Sequence, residues 1–300
     1  MSLTQDIRDA FSRRDNALNQ LIILNALVFA VLIILRAIFF IAQSQGYAMV
    51  MRQLALPSDG YSLLRHPWTL ISYAFVHEGF LHILFNMLNL YWFGQLIREY
   101  LGDRRLVGLY LLGALMGAAF FLLAYNFIPA LQPFVGQPVI GASASVTAVI
   151  VAAATLLPDY TFMLFIIGQV KIKWIAVAVV LISIAGINGG NPGGEITHLG
   201  GALLGFVFVK QLKAGRDMST PVTAVVEWFS RLFSPRPSSM RVTHRQPAAA
   251  TRATAGTGKA AGPSATGQDE IDLILDKISH SGYESLSKDE KQKLFRASQQ

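Results

Sequence analysis

Residues 106–158, LVGLYLLGALMGAAFFLLAYNFIPALQPFVGQPVIGASASVTAVIVAAATLLP, contain no Asp, Glu, Lys or Arg. A soluble core does not need an uncharged run of this length, whereas a transmembrane helix needs about 20 apolar residues to cross a ~30 Å hydrocarbon layer. The stretch is long enough for two spans, parted by Pro129, Pro133, Gly136 and Pro138, which exclude a continuing helix. Charge elsewhere follows the same division: of 43 charged residues, 15 lie within 20–212 and 28 lie outside it. The chain therefore reads as an all-α, polytopic membrane protein, and a soluble globular domain is excluded.

Working outward, the apolar run 21–42 exceeds the h-region of a signal peptide and reads as a first helix. Arg36 near its end is expected to snorkel to the interface. Residues 44–80 form a semi-polar loop, too interrupted to span. Further spans are predicted over 80–96, 106–126, 141–157, 174–187 and 196–209. Gly113 and Gly117 have the four-residue spacing that lets helix backbones approach in lipid. Between the fourth and fifth spans, Gln169, Lys171 and Lys173 alternate with Val170 and Ile172 in the period of a strand, so 160–173 reads as an interfacial hairpin. Six spans result.

Lys and Arg set the orientation. The N-terminus, the loop with Arg98, Arg104 and Arg105, the hairpin and the C-terminal region are basic, while the loops after the third and fifth spans carry none. Positive-inside then predicts an integral, multi-pass protein with both termini cytoplasmic; a bacterial cytoplasmic membrane is the expected location. The net charge of +7 could suggest nucleic acid, but the excess lies mainly between Lys210 and Lys259, just after the last apolar run. It is read as an anchor on the lipid bilayer, with no nucleic-acid partner.

The expected organisation is a cytoplasmic segment 1–19, a six-helix membrane domain 20–212, a basic amphipathic juxtamembrane segment 213–233, a disordered linker 234–268 and a small helical module 269–300. In that module Ser287 and Glu290 have capping-box spacing. About 30 residues cannot bury an independent core, so the module is expected to dock on a cytoplasmic partner or on another part of the chain. Cysteine is absent. Thiolate chemistry and disulfides are thereby removed.

Polar residues within the spans are few. Near the outward helix ends stand His82 and Asn86, Ser143 and Ser145, and His198. A polar group in hydrocarbon is costly unless partnered or wetted, so a layer of them marks a candidate site. Alone, Ser143 reads as an N-cap serine. With His198 able to act as its base, it reads as a nucleophile at the positive end of a helix dipole. His82 and Asn86, four residues apart on one helix face, could stabilise an oxyanion or merely bond between helices. Ser145 is a rival nucleophile rotated to another face. Glu195 could orient His198, although its glycine-rich surroundings favour a solvated loop carboxylate.

The segments Trp68-Thr69, Phe75 to Asn86, Gly141-Ala142-Ser143 and His198 to Gly205 resemble the rhomboid family of intramembrane serine proteases, over about residues 60–210. The resemblance implies a six-helix bundle in which Ser143 is the nucleophile, His198 the general base and acid, and His82 with Asn86 the oxyanion stabilisers. It implies membrane-protein substrates cut in or near a transmembrane segment, without metal or cofactor. Three departures stand out: Ala144 where Gly is common, Thr147 where some members carry an aromatic, and no Trp-Arg pair in the first loop. The alternative is a catalytically inactive rhomboid-like protein that binds membrane clients. An intramembrane metalloprotease would need His-Glu-x-x-His, and the run from His77 to His82 has one residue too many.

Overall fold

The computed structural model describes residues 16–164, 168–233 and 267–297. Residues 1–15 and 234–266 lie outside the described residues, and with them most of the expected N-terminal segment and linker. The chain divides into two compact units, Met1–Arg236 and Pro237–Gln300.

The first unit opens with α1 (Ala17–Ile41), whose outward face carries exposed Ile34, Ile38 and Phe40. Arg36, near its C-terminal end, lies over the Tyr47 ring with 6.0 Å to the centroid. The semi-polar loop that follows is more structured than its sequence suggests. It forms three short helices, α2 (Gly46–Leu54), α3 (Gly60–Arg65) and α4 (Thr69–Ser72), and a 3₁₀ turn at Tyr73–Phe75. Then come α5 (Phe80–Leu101), α6 (Asp103–Phe127), a 3₁₀ segment Pro129–Phe134 and α7 (Ser143–Leu156). An antiparallel hairpin of β1 (Thr161–Leu164) and β2 (Gly168–Lys171) leads into α8 (Ile172–Gly186). Lys171 and Lys173 both reach Asp159 at 2.9 Å beside it. The strand alternation read from the sequence is realised over Gly168–Lys171, whereas Ile172 and Lys173 open α8 instead.

The unit ends with α9 (Pro192–Lys213) and α10 (Ser219–Phe233). Among the described residues, α1, α5 and α6 are long and apolar enough to cross a membrane, and α7 and α8 are shorter apolar helices. α9 begins at Pro192, one turn before the expected 196, because Asn191 caps it by accepting from Gly194 N–H at 3.0 Å and Pro192 occupies its first position.

The bundle is built around α7, in which every residue from Ala144 to Ala154 is buried. Its small side chains let neighbours approach at backbone distance. A Cβ on Gly113 of α6 would lie 2.9 Å from Ser145 Cα, and one on Gly117 would lie 2.6 Å from Ala144 Cβ. On the opposite side, Gly201 and Gly205 of α9 meet the carbonyls of Ala144 and Ala148. Small-residue contact of this kind drives helix association where the hydrophobic effect cannot. Polar bonds fix the register. Ser145 donates to the Tyr110 carbonyl at 2.7 Å, Tyr110 OH to the Ala74 carbonyl at 2.8 Å, and Tyr73 OH to the Ala114 carbonyl at 2.7 Å.

Below α6, Arg105 pairs with Asp217 at 2.8 Å and Arg104 with Glu227 at 3.0 Å, holding the N-terminal part of α10 against the bundle. Val225, Val226 and Trp228 remain exposed on α10. In the second unit, α11 (Gly267–Ser281) and α12 (Lys288–Ala297) pair through Lys277 and Glu290 at 2.9 Å. The capping box forms: Ser287 N–H donates to Glu290 Oε2 at 2.7 Å, and Glu290 N–H donates to Ser287 Oγ at 3.3 Å.

Candidate active site

The main chain before α7 determines where Ser143 stands. Leu56 and Val139 exchange both backbone bonds of an antiparallel bridge, at 3.0 and 2.9 Å, and Gly141 N–H donates to the Tyr73 carbonyl at 2.9 Å. Ala142 N–H donates to His77 Nε2 at 3.4 Å. These bonds tie the first loop to the approach of α7, and Gly141 turns the chain with φ +124°. Ser143 is the first residue of the helix. Ala144, the departure from the commoner glycine, sits in ordinary helical geometry and packs against Gly117 and Gly201, so no unusual dihedral is demanded of it.

Ser143, His198, His82 and Asn86 border one cavity of about 490 Å³, between α5, α7, α8 and α9. Thr147, one turn below Ser143, also lines it. His82 and Ser143 flank a common point: a Cβ on Gly141 would lie 2.8 Å from His82 Nε2 and 3.6 Å from Ser143 Oγ. The His77 ring packs edge-on against His82, 4.9 Å between centroids. Asn86 donates one Nδ2 hydrogen to the His82 carbonyl at 2.9 Å. The amide has a second hydrogen to offer.

No hydrogen bond joins Ser143 to His198 among the described residues. The imidazole is held from behind instead: Nδ1 lies 3.0 Å from Ser183 Oγ on α8 and 3.2 Å from Glu195 Oε2 on its own helix. The solvated loop carboxylate expected at Glu195 is thus corrected. Glu195 lies in the first turn of α9, three residues before His198, with its side chain 22% exposed. Ser183, buried on an apolar helix, carries no signal in the sequence because its partner belongs to another helix. Ser145 is removed from the cavity by its bond to the Tyr110 carbonyl. Among the described residues, no group of three or more His, Asp or Glu side chains is arranged to hold a metal.

The Rhomboid domain family matches residues 64–213, half of the chain, and takes in all four of these cavity residues. The chain belongs to the rhomboid family. It is accordingly an integral membrane protein. The RHOMBOID-like protein 12, mitochondrial, of Arabidopsis thaliana is 33% identical over 158 residues, covering 49% of this chain and 47% of that protein. The Rhomboid protease GlpG of Pectobacterium atrosepticum is 34% identical over 90 residues, 30% of this chain and 32% of that protein. The Rhomboid-like protein 16, chloroplastic, of A. thaliana is 48% identical over 54 residues, covering 18% of this rhomboid and 17% of that one. Each match spans less than half of the relative. Residues 264–300 match a family of unknown function, DUF6576.

Proposed function

We propose that this rhomboid is an active intramembrane serine endopeptidase that cuts membrane proteins in or near a transmembrane segment. The observation that carries this reading is the convergence of Ser143, His198, His82 and Asn86, from three helices, on one cavity. In the reaction, Ser143 Oγ attacks the scissile carbonyl carbon as its proton passes to His198 Nε2. The carbonyl oxygen becomes an oxyanion that accepts from His82 Nε2–H and the second hydrogen of Asn86 Nδ2. Collapse of the tetrahedral intermediate breaks the C–N bond, and the imidazolium returns its proton to the departing amine. Water then hydrolyses the acyl-enzyme by the same route. The resting structure lacks the Ser143–His198 bond, in keeping with hydrogen bonds that tighten only around a bound substrate.

Six membrane crossings with both termini cytoplasmic complete the proposal. The 14 residues of α7 extend only ~21 Å, less than the hydrocarbon layer, so Ser143 at its N-terminus would lie beneath the membrane surface. Substrates would have to present an unwound backbone there. Turnover of a transmembrane substrate by the wild type, abolished in His198→Ala with the bundle still folded, would support this account. Undiminished cleavage by His198→Ala would overturn it, and an inert but client-binding wild type would favour the catalytically silent alternative.

A further inference from the structure

Glu195 and Ser183 meet at a single atom, Nδ1 of His198, at 3.2 and 3.0 Å. They come from different elements: Ser183 from the C-terminal half of α8 and Glu195 from the first turn of α9. Two features hold the carboxylate there. Asn191 caps α9 and fixes its first turn, and the residue facing the carboxylate is Gly186, where a Cβ would lie 2.8 Å from Glu195 Cδ. Any larger residue at 186 would push the carboxylate away from the ring. Ser183 is buried and Glu195 largely so, which shields both from competing water.

A carboxylate only accepts hydrogen bonds, whereas a neutral imidazole has one N–H and one bare nitrogen. With Glu195 at Nδ1, the ring proton belongs on Nδ1, and the lone pair is left on Nε2. Resting on the peptidase reading above, we propose that Glu195 and Ser183 are positioning residues which lock His198 in the Nδ1–H tautomer, so that Nε2 is free to take the Ser143 proton. The pair thus performs the orienting task of a third triad member. Its carboxylate comes from one helical turn upstream of the base. When Nε2 accepts the proton, Nδ1–H stays in place and the new imidazolium faces a negative charge.

The test is nitrogen-15 NMR of the full-length protein in detergent, labelled at histidine, with His198 assigned by its loss in His198→Asn. The wild type should show the Nδ1–H form of neutral His198, and Glu195→Ala should shift it toward the Nε2–H form. The same variant should lose roughly 100-fold in kcat with KM within about twofold, Ser183→Ala should lose less, and Glu195→Asp should recover part of the loss. An Nε2–H tautomer in the wild type overturns the proposal, as does a Glu195→Ala variant whose tautomer and kcat are both unchanged. Should Glu195→Ala fail to fold, the wild-type spectrum still decides. The tautomer needs no turnover to be read, so an inert wild type would count against the peptidase and leave this claim to the spectrum.

Discussion

Gly201 presses against the main chain of Ala144 so closely that a side chain on Gly201 would collide with the Ala144 carbonyl oxygen. Ala144 follows the candidate nucleophile and Gly201 lies one turn beyond the candidate base. This contact therefore limits how far α7 and α9, which carry the two candidate side chains, can move relative to each other. Gly201→Val should force α7 and α9 apart, costing about 1–3 kcal/mol by overpacking and roughly 100-fold in turnover by misplacement. Thermal unfolding in detergent, paired with cleavage of a transmembrane substrate, measures both. Wild-type values in both assays would count against the contact.

Gly141 has φ +124° and faces both His82 Nε2 and Ser143 Oγ. Gly141→Ala should strain the backbone by about 1–3 kcal/mol and push a methyl group between the candidate oxyanion donor His82 and the candidate nucleophile Ser143. Turnover should fall at least tenfold while the protein stays folded, because the lesion is local. The comparison is kcat with melting temperature. A large drop in melting temperature with kcat intact would reverse the assignment.

The pairing of α10 with the bundle should depend on acid. Burial pushes the Asp217 carboxyl up, but hydrogen bonds from Ser219 and Arg105 and the Arg105 charge outweigh it and hold the group below its ordinary value. A carboxyl depressed in this way contributes stability that is fully present above its unfolded value of about 3.9 and is lost as the pH falls through the folded value. The pair is partly exposed, so the contribution should be about 1 kcal/mol or less. Protection factors of the amides over residues 219–228, taken against intrinsic exchange at each pH, should be higher at pH 7 than below about pH 4. Asp217→Asn should have the lower protection at both. Equal protection in the variant and the wild type at pH 7 would remove Asp217 from the clamp.

Much of this was legible in the sequence, for definite physical reasons. The uncharged run 106–158 disclosed two helices because hydrocarbon tolerates little else, and the alternation of Gln169 and Lys171 with Val170 disclosed the hairpin because side chains on a strand alternate faces. Ser143, His198, His82 and Asn86 stood out because polar residues are rare in such helices, and all four reach one cavity. What escaped depends on long-range contact. The helices within 46–72 are too short for a periodic pattern to develop. Gly193 and Gly194 mask the start of α9 despite the Asn191-Pro192 signal, which gives Glu195 the sequence surroundings of a loop residue. Ser183 had no sequence neighbour to reveal its partner.

The central claim is that Ser143 is the activated nucleophile, and covalent mapping tests it most directly. The detergent-solubilised protein should be treated with a fluorophosphonate, digested and sequenced by mass spectrometry. A single adduct on Ser143, absent in His198→Ala and undiminished in Ser145→Ala, is the predicted result. An adduct on Ser145 or another hydroxyl, or no adduct in a folded protein that binds its clients, would contradict the account.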